Sequence, residues 1–338
     1  MAGDTNPGRN MWVAVGIQTS MTTIATLYSF HQPTEVGGFL EEFAYIDSNR
    51  RLGTRFQTYG YLGTKQVPFS FTVEANPDVI GRILAGAIGF DSLASATSVA
   101  HNHNFKFNVE ELPYLTILGY LAGVADASAT AQEVRIRGCK INTMTIAGGI
   151  DNVMTLTIDG IGMSLSAATT ATTAYSASDP WFLNSMQGTG ILSVGSTVTL
   201  VSAFQEVRDF ELTIENGITA DHRIHGSATP VAISEGSSRI SGRMTAVFNP
   251  ETFAEINNYR AGNLRALTLT ATGATVMAGP GTNYKTLAIG LSKFRYTGDT
   301  PSWDPDVMTV DLPFTCEASV STYINVLNDC STAYASAT

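Results

Sequence analysis

The sequence predicts a mainly β protein made of two tandem β-sandwich or barrel units, each flanked by one α-helix. Three observations predict it: strand-like alternation recurs along the whole chain, only two segments have helical spacing, and those two open alike and sit in the same order among their strands. At 338 residues the chain is long for one core and suits two units. The expected division is 1–170, with an N-terminal arm, and 171–338, with a C-terminal arm.

The strand signal is period-two alternation with β-branched and aromatic residues. It runs through Val67 to Val73, Lys140 to Ile146, Val153 to Ile158, Phe210 to Ile214, Leu264 to Thr270 and Val307 to Leu312. Gly148-Gly149, Glu215-Asn216-Gly217 and Gly279-Pro280-Gly281 punctuate these runs as turns. The helices open at Asn76-Pro77-Asp78 and Asn249-Pro250-Glu251. Asn accepts a bond from a free first-turn N–H, Pro presets φ at the first helical position, and the acid faces the positive end of the helix dipole. Gly89 and Gly262 are the expected stops.

The echo extends beyond the helix starts. Gly63 stands as far before Asn76 as Gly236 stands before Asn249; Tyr114 to Ile117 answers Ala266 to Leu269; and Asn152 to Leu156 answers Asp306 to Val310. An ordered set of matches reads as duplication of an architectural unit. The spacing between matched positions narrows along the chain, so the second unit is expected to be shorter in its loops. Ser164 to Ser178, rich in Ala, Thr and Ser, reads as the join. Asp91 to Asn104 reads as an external loop, and Trp12 to Phe30, which has no evident partner in the second half, as an arm. In the tail, Val320, Tyr323, Ile324 and Leu327 are expected to pack on a neighbour.

Composition excludes several functions. Hydrophobic residues make up 44% and mean hydropathy is +0.08, enough for buried cores. Charged residues are only 14%, against roughly 25% in an average globular chain, as expected where neighbouring subunits cover much of the surface or where a monomer's surface is rich in Thr, Ser and Asn. The net charge is −10, with 19 cations against 29 anions, so tight binding to a phosphate backbone is not expected. Met1-Ala2-Gly3-Asp4 opens without a cationic stretch and apolar run, and no apolar stretch is long enough to span a bilayer. A product of a cytoplasm with no membrane partner is therefore expected.

Catalytic, metal and cofactor-binding residues are each predicted to be none. His101-Asn102-His103 could turn two rings to one face of a strand but lacks a third ligand nearby, so a solvated loop is expected. Gly279 to Thr286 lacks the Gly before Lys that a phosphate loop needs. Glu41-Glu42 and Glu110-Glu111 are strand neighbours that face opposite sides. Cys139, Cys316 and Cys330 fit no metal or disulfide framework, although a Cys316–Cys330 bridge stays open.

Phe69 to Pro77, Gly138 to Ile146, Phe210 to Gly217 and Ser241 to Phe248 together resemble the tail tube proteins of long-tailed bacteriophages, in particular the kind with two tube domains per chain. The likeness covers about residues 10 to 320. It implies a structural virion protein of the phage tail, assembled in the host cytoplasm, whose rings stack into a tube for DNA passage during ejection. Six units around a channel would make three two-unit chains a ring. DNA would pass without specific binding, and the tape measure, tail terminator and tail tip would be further partners. The resemblance also implies a reach to the next ring, for which Asp47 to Lys65 is the candidate, through Arg50, Arg51, Arg55, Tyr59 and Tyr61. Trp12, Tyr323, Ile324 and Leu327 are the candidate arm contacts. Another virion β-protein (tail tip, baseplate or decoration) and a carbohydrate-binding β-sandwich module are the alternative readings.

Overall fold

A computed structural model of the chain describes residues 11–47, 60–89, 91–95, 100–107, 111–121, 132–150, 152–168, 192–196, 199–203, 207–223, 226–277, 283–302, 307–317 and 322–334. In the first half the strands are β1 (Met11–Ile17), β2 (Ser29–His31), β3 (Pro33–Gly38), β4 (Glu42–Asp47), β5 (Gly60–Glu74), β6 (Asp91–Ser95), β7 (His101–Lys106), β8 (Leu115–Leu121), β9 (Gln132–Gly149), β10 (Asn152–Gly162) and β11 (Ser164–Ala168). The second half holds β12 (Leu192–Ser196), β13 (Thr199–Ala203), β14 (Val207–Glu215), β15 (Thr219–Asp221), β16 (Ala232–Ser234), β17 (Arg239–Val247), β18 (Arg265–Val276), β19 (Tyr284–Tyr296), β20 (Thr300–Ser302), β21 (Thr309–Cys316) and β22 (Tyr323–Asn328). One helix lies in each half, α1 (Gly81–Ile88) and α2 (Pro250–Arg260). The described residues are mainly β with two helices, as the alternation predicts.

One pairing scheme occurs twice. In the first half β3 pairs with β5, β5 with β10, β10 with β9, β9 with β8, β8 with β1 and β1 with β2. In the second, β14 pairs with β17, β17 with β21, β21 with β19 and β20, β19 with β18, β18 with β12 and β12 with β13. The correspondence reaches detail: a bulge follows the first pair of both β3–β5 and β14–β17. From Met11 on, the N-terminal segment is thus built into the sheet, and β12 and β13 take its place in the second half. Sequence comparison misses this match because Met-Trp-Val-Ala-Val and Leu-Ser-Val-Gly-Ser share pairing partners rather than residues.

The two schemes meet. β14 lies antiparallel to β9, Leu212 opposite Ile146 and Thr213 opposite Thr145, so a continuous sheet runs β3–β5–β10–β9–β14–β17–β21–β20. Its inward face carries Phe69, Phe71, Leu156, Met144, Ile146, Leu212, Met244 and Phe314, all within the buried core. These residues belong to one connected apolar cluster that extends from Val13 to Tyr334. β9 serves two layers. Its first part pairs with β8 and β11, its last part with β10 and β14, and it bends at Gly138, whose φ of +62° favours glycine.

The two helices start differently. Asn249 caps α2, its side chain accepting from Thr252 N–H at 2.9 Å with Pro250 next. Asn76 instead accepts from Asp78 N–H at 3.0 Å in a tight turn, and its carbonyl accepts from Val79 and Ile80, so α1 begins later, at Gly81. Gly89 (φ +109°) follows the end of α1, and Gly262 (φ +66°) follows α2.

Side chains also tie the halves. Lys140, fully buried on β9, donates to Glu235 at 2.6 Å and Glu111 at 3.1 Å, over the Tyr114 ring. Asn216 donates to the carbonyls of Ala87 and Ile141 at 2.9 and 3.0 Å.

Two segments expected outside the core are inside it. Asp91 to Asn104 contributes the β6–β7 hairpin, with His103 fully buried, because acceptors meet both ring nitrogens. The C-terminal segment pairs β22 with β19 on one side and β7 on the other. Ile324 is fully buried there, and Asn328 donates to Pro77 O at 2.9 Å. Cys316 and Cys330 are free thiols. Ile324→Ala is therefore expected to lower the unfolding free energy of the dispersed chain by about 2–5 kcal/mol, read from urea denaturation. An unchanged midpoint would show that β22 is not part of the folded core.

Candidate functional site

Alternation that sends Phe, Leu, Ile and Met inward sends the intervening residues to the other face. One transverse row there runs Glu35, Thr72, Thr157, Thr145, Thr213, Ser241, Thr315, Arg295, each opposite the next across a strand pair. Six consecutive members bear hydroxyls. Thr72 and Thr157 share a hydrogen bond of 3.0 Å, and Thr145 and Thr213 one of 3.1 Å across the β9–β14 junction. β-Branched Thr satisfies strand geometry and keeps this face polar.

The flanking rows are charged. Glu74, Asp159, Asp209, Glu211, Glu215 and Asp311 lie on this face, with Arg239 and Arg243 interleaved on β17. Arg243 donates to Glu211 at 2.8 Å, which with that acid's charge raises the guanidinium pKa; Thr245 donates to Asp311 at 2.7 Å. An open recess of about 660 Å³ lies over the junction, lined by Glu74, Asp209, Glu211, Arg243, Thr245 and Asp311 among others. Among the described residues, no group of three or more His, Cys, Asp or Glu is placed to hold a metal.

The sheet has two edges. β3 pairs only with β5, and β20 only with β21, among the described pairings. An unpaired strand edge is a template for another chain. Beside β3, the β4–β5 ribbon leaves Leu40, Tyr45 and Leu62 more than half exposed, at 71%, 72% and 62%. Two strands alone cannot bury such side chains.

The residues singled out by sequence are distributed unevenly. Arg50, Arg51, Arg55, Tyr59 and Val320 lie outside the described residues. Tyr61 lies in β5 opposite Ile46, at the described end of the ribbon. Trp12 is a β1 residue, only 9% exposed, packed edge-on to Phe30 at 5.1 Å. Tyr323, Ile324 and Leu327 are in β22, where only the first and last are half-buried. The ribbon and the two strands are thus not brought together into one site. The hydroxyl row was missed by sequence reasoning, although its signal was present: every strand run quoted for alternation carries Thr or Ser at its polar positions.

One buried face, one polar face and two sheet edges without a second partner among the described pairings are the features of a structural β protein. A family model described as phage tail tube protein matches residues 8–317, and the chain belongs to that family. No curated protein matches the sequence. The protein is accordingly a structural component of the phage tail.

The two faces predict unequal mutational losses. Met144→Ala, on the inward face, is expected to lower stability by about 2–5 kcal/mol, and Arg243→Ala, in a half-exposed pair, by less than about 1 kcal/mol. Urea denaturation of both variants checks this; equal losses would contradict the assignment of faces.

Proposed function

We propose that three copies of this chain close into a ring, that the hydroxyl and acidic face of the sheet lines its channel, and that stacked rings form the tube through which DNA passes. The observation that carries this reading is the β9–β14 junction. Within one chain, the last part of β9 pairs with β14. In the repeated scheme, β20 holds the place of that part of β9: Ser302 lies opposite Thr309 as Ala147 lies opposite Thr155. β3 holds the place of β14: Gly37 lies opposite Ser70 as Glu211 lies opposite Arg243. The two open edges are therefore counterparts of two strands that already pair. Joining β20 of one copy to β3 of the next repeats the internal junction, and a heterologous contact that closes yields a ring.

The channel face supports passage rather than binding. Acids outnumber cations in its rows, so phosphates are repelled, and neutral hydroxyls give a sliding strand no fixed counterion. The exposed apolar side chains of the β4–β5 ribbon support a ring-to-ring contact there, to which Arg50, Arg51, Arg55, Tyr59 and Tyr61 contribute. Trp12, Tyr323 and Leu327 are proposed to touch neighbours only with their remaining exposed surface. The 1–170 and 171–338 halves act as two tube units, and tape measure, terminator and tip proteins contact the tube. Assembly takes place in the host cytoplasm.

The internal junction also supplies a register. Ala147 lies opposite Glu211, so Ser302 of one copy is expected opposite Gly37 of the next. Both are exposed on the same face. Directly opposed strand residues are close enough for a disulfide. Gly37→Cys with Ser302→Cys, oxidised after assembly, is expected to give covalent trimers on a denaturing gel, with neither single variant doing so. Assembled protein that stays monomeric on that gel would contradict the edge pairing, and a ladder running past three would contradict closure.

A further inference from the structure

His103 stands between segments from both ends of the chain, and its side chain is fully buried. Nδ1 lies 2.8 Å from Asp91 Oδ2 on β6, and Nε2 lies 2.9 Å from the carbonyl oxygen of Cys330, just past β22. Both partners are acceptors, whereas a neutral imidazole has a single N–H to donate. Asp91 Oδ2 also accepts from the backbone N–H of Tyr334 at 2.8 Å, so it is acting as an acceptor already. Two accepting partners are met together only when both ring nitrogens carry a proton. The Tyr334 ring packs on the imidazole at 4.5 Å between centroids, closing the site from the C-terminal side.

We propose that His103 is held doubly protonated and acts as a pH-operated latch, fastening the segment Cys330 to Tyr334 onto the β6–β7 hairpin. The latch joins first and last parts of the chain where β22 pairs with β7, and it does not depend on the ring reading. Loss of the proton removes one of two donated bonds, leaving either Asp91 with one bond fewer or the buried Cys330 carbonyl without the imidazole's N–H.

The surrounding groups determine when the latch opens. Burial alone pulls an imidazole pKa down, but the bonds to Asp91 and Cys330 and the Asp91 charge outweigh it and raise His103 to about 9. Burial raises the Cys330 thiol, yet bonds from His103 and Thr332 prevail and lower it to about 7. Burial foremost pushes the Tyr334 phenol far above its usual range. From α1, Arg82 lies 5.8 Å over the Tyr334 ring, and burial lowers its pKa. β22 adds no charged side chain. A group whose folded pKa is raised stabilises the fold fully below its unfolded value and loses that contribution as pH climbs through the folded value. From His103 alone, the folded-to-unfolded ratio therefore falls by up to about tenfold per pH unit between roughly 6.5 and 9, then levels.

Long-range ¹H–¹⁵N spectra of the histidine-labelled, dispersed chain from pH 6 to 10.5 test the latch. One of the five histidines is expected to remain an imidazolium at pH 8 and to titrate near 9, and hydrogen exchange at the Tyr334 amide is expected to quicken across the same step. With Cys330→Ser in both proteins, which removes the opposing rise in stability that the lowered thiol gives between about 7 and 9, His103→Gln should remove that signal and flatten the fall in urea midpoint between pH 7 and 9. A neutral ring at His103 at pH 8, or the same pH slope in both proteins, would overturn the proposal. If His103→Gln does not fold, the wild-type titration decides alone.

Discussion

The structure depends on strict two-residue alternation in strands joined edge to edge across both halves. A one-residue slip of β14 along β9 would turn Leu212 outward and Thr213 inward while Ile146 and Thr145 stay in place, so burial of the apolar set holds the register. The same alternation that builds the core therefore builds the polar face, and the register sets its hydroxyls opposite one another from strand to strand. No separate site had to be added to a scaffold: the candidate working surface is the reverse side of the core.

Continuity has a second consequence. Because β14 sits on β9, the apolar interior is one connected cluster, with Phe69 and Phe314 belonging to the same body. Lys140 and Asn216 reinforce that union, each reaching partners in the other half. Such a chain is one connected body, with β3 and β20 at the two ends of its sheet.

Much of this was legible in the sequence, and particular residues show why the rest was not. The runs at Val67 to Val73 and Phe210 to Ile214 declare strands, and Asn249-Pro250 declares a helix start, because local chemistry decides them. Asn76-Pro77 carries the same letters, yet Asp78 N–H draws the Asn76 side chain into a turn and α1 starts later. His103 read as a loop residue because its justification, Asp91 and the Cys330 carbonyl, is tertiary. β12 and β13 escaped notice as counterparts of β1 and β2 because pairing partners, not side chains, carry the match. The hydroxyl row is legible one strand at a time, but its alignment across strands exists only once register is known.

The central claim is that the sheet continues from copy to copy as it does from half to half. A cryo-electron microscopy map of the assembled protein tests it most directly. The account predicts three chains per ring, with β20 hydrogen-bonded to the neighbour's β3 and the row from Thr72 to Thr315 facing the channel. A ring of six chains, or that row facing outward with Phe69 and Phe314 still buried, would contradict it.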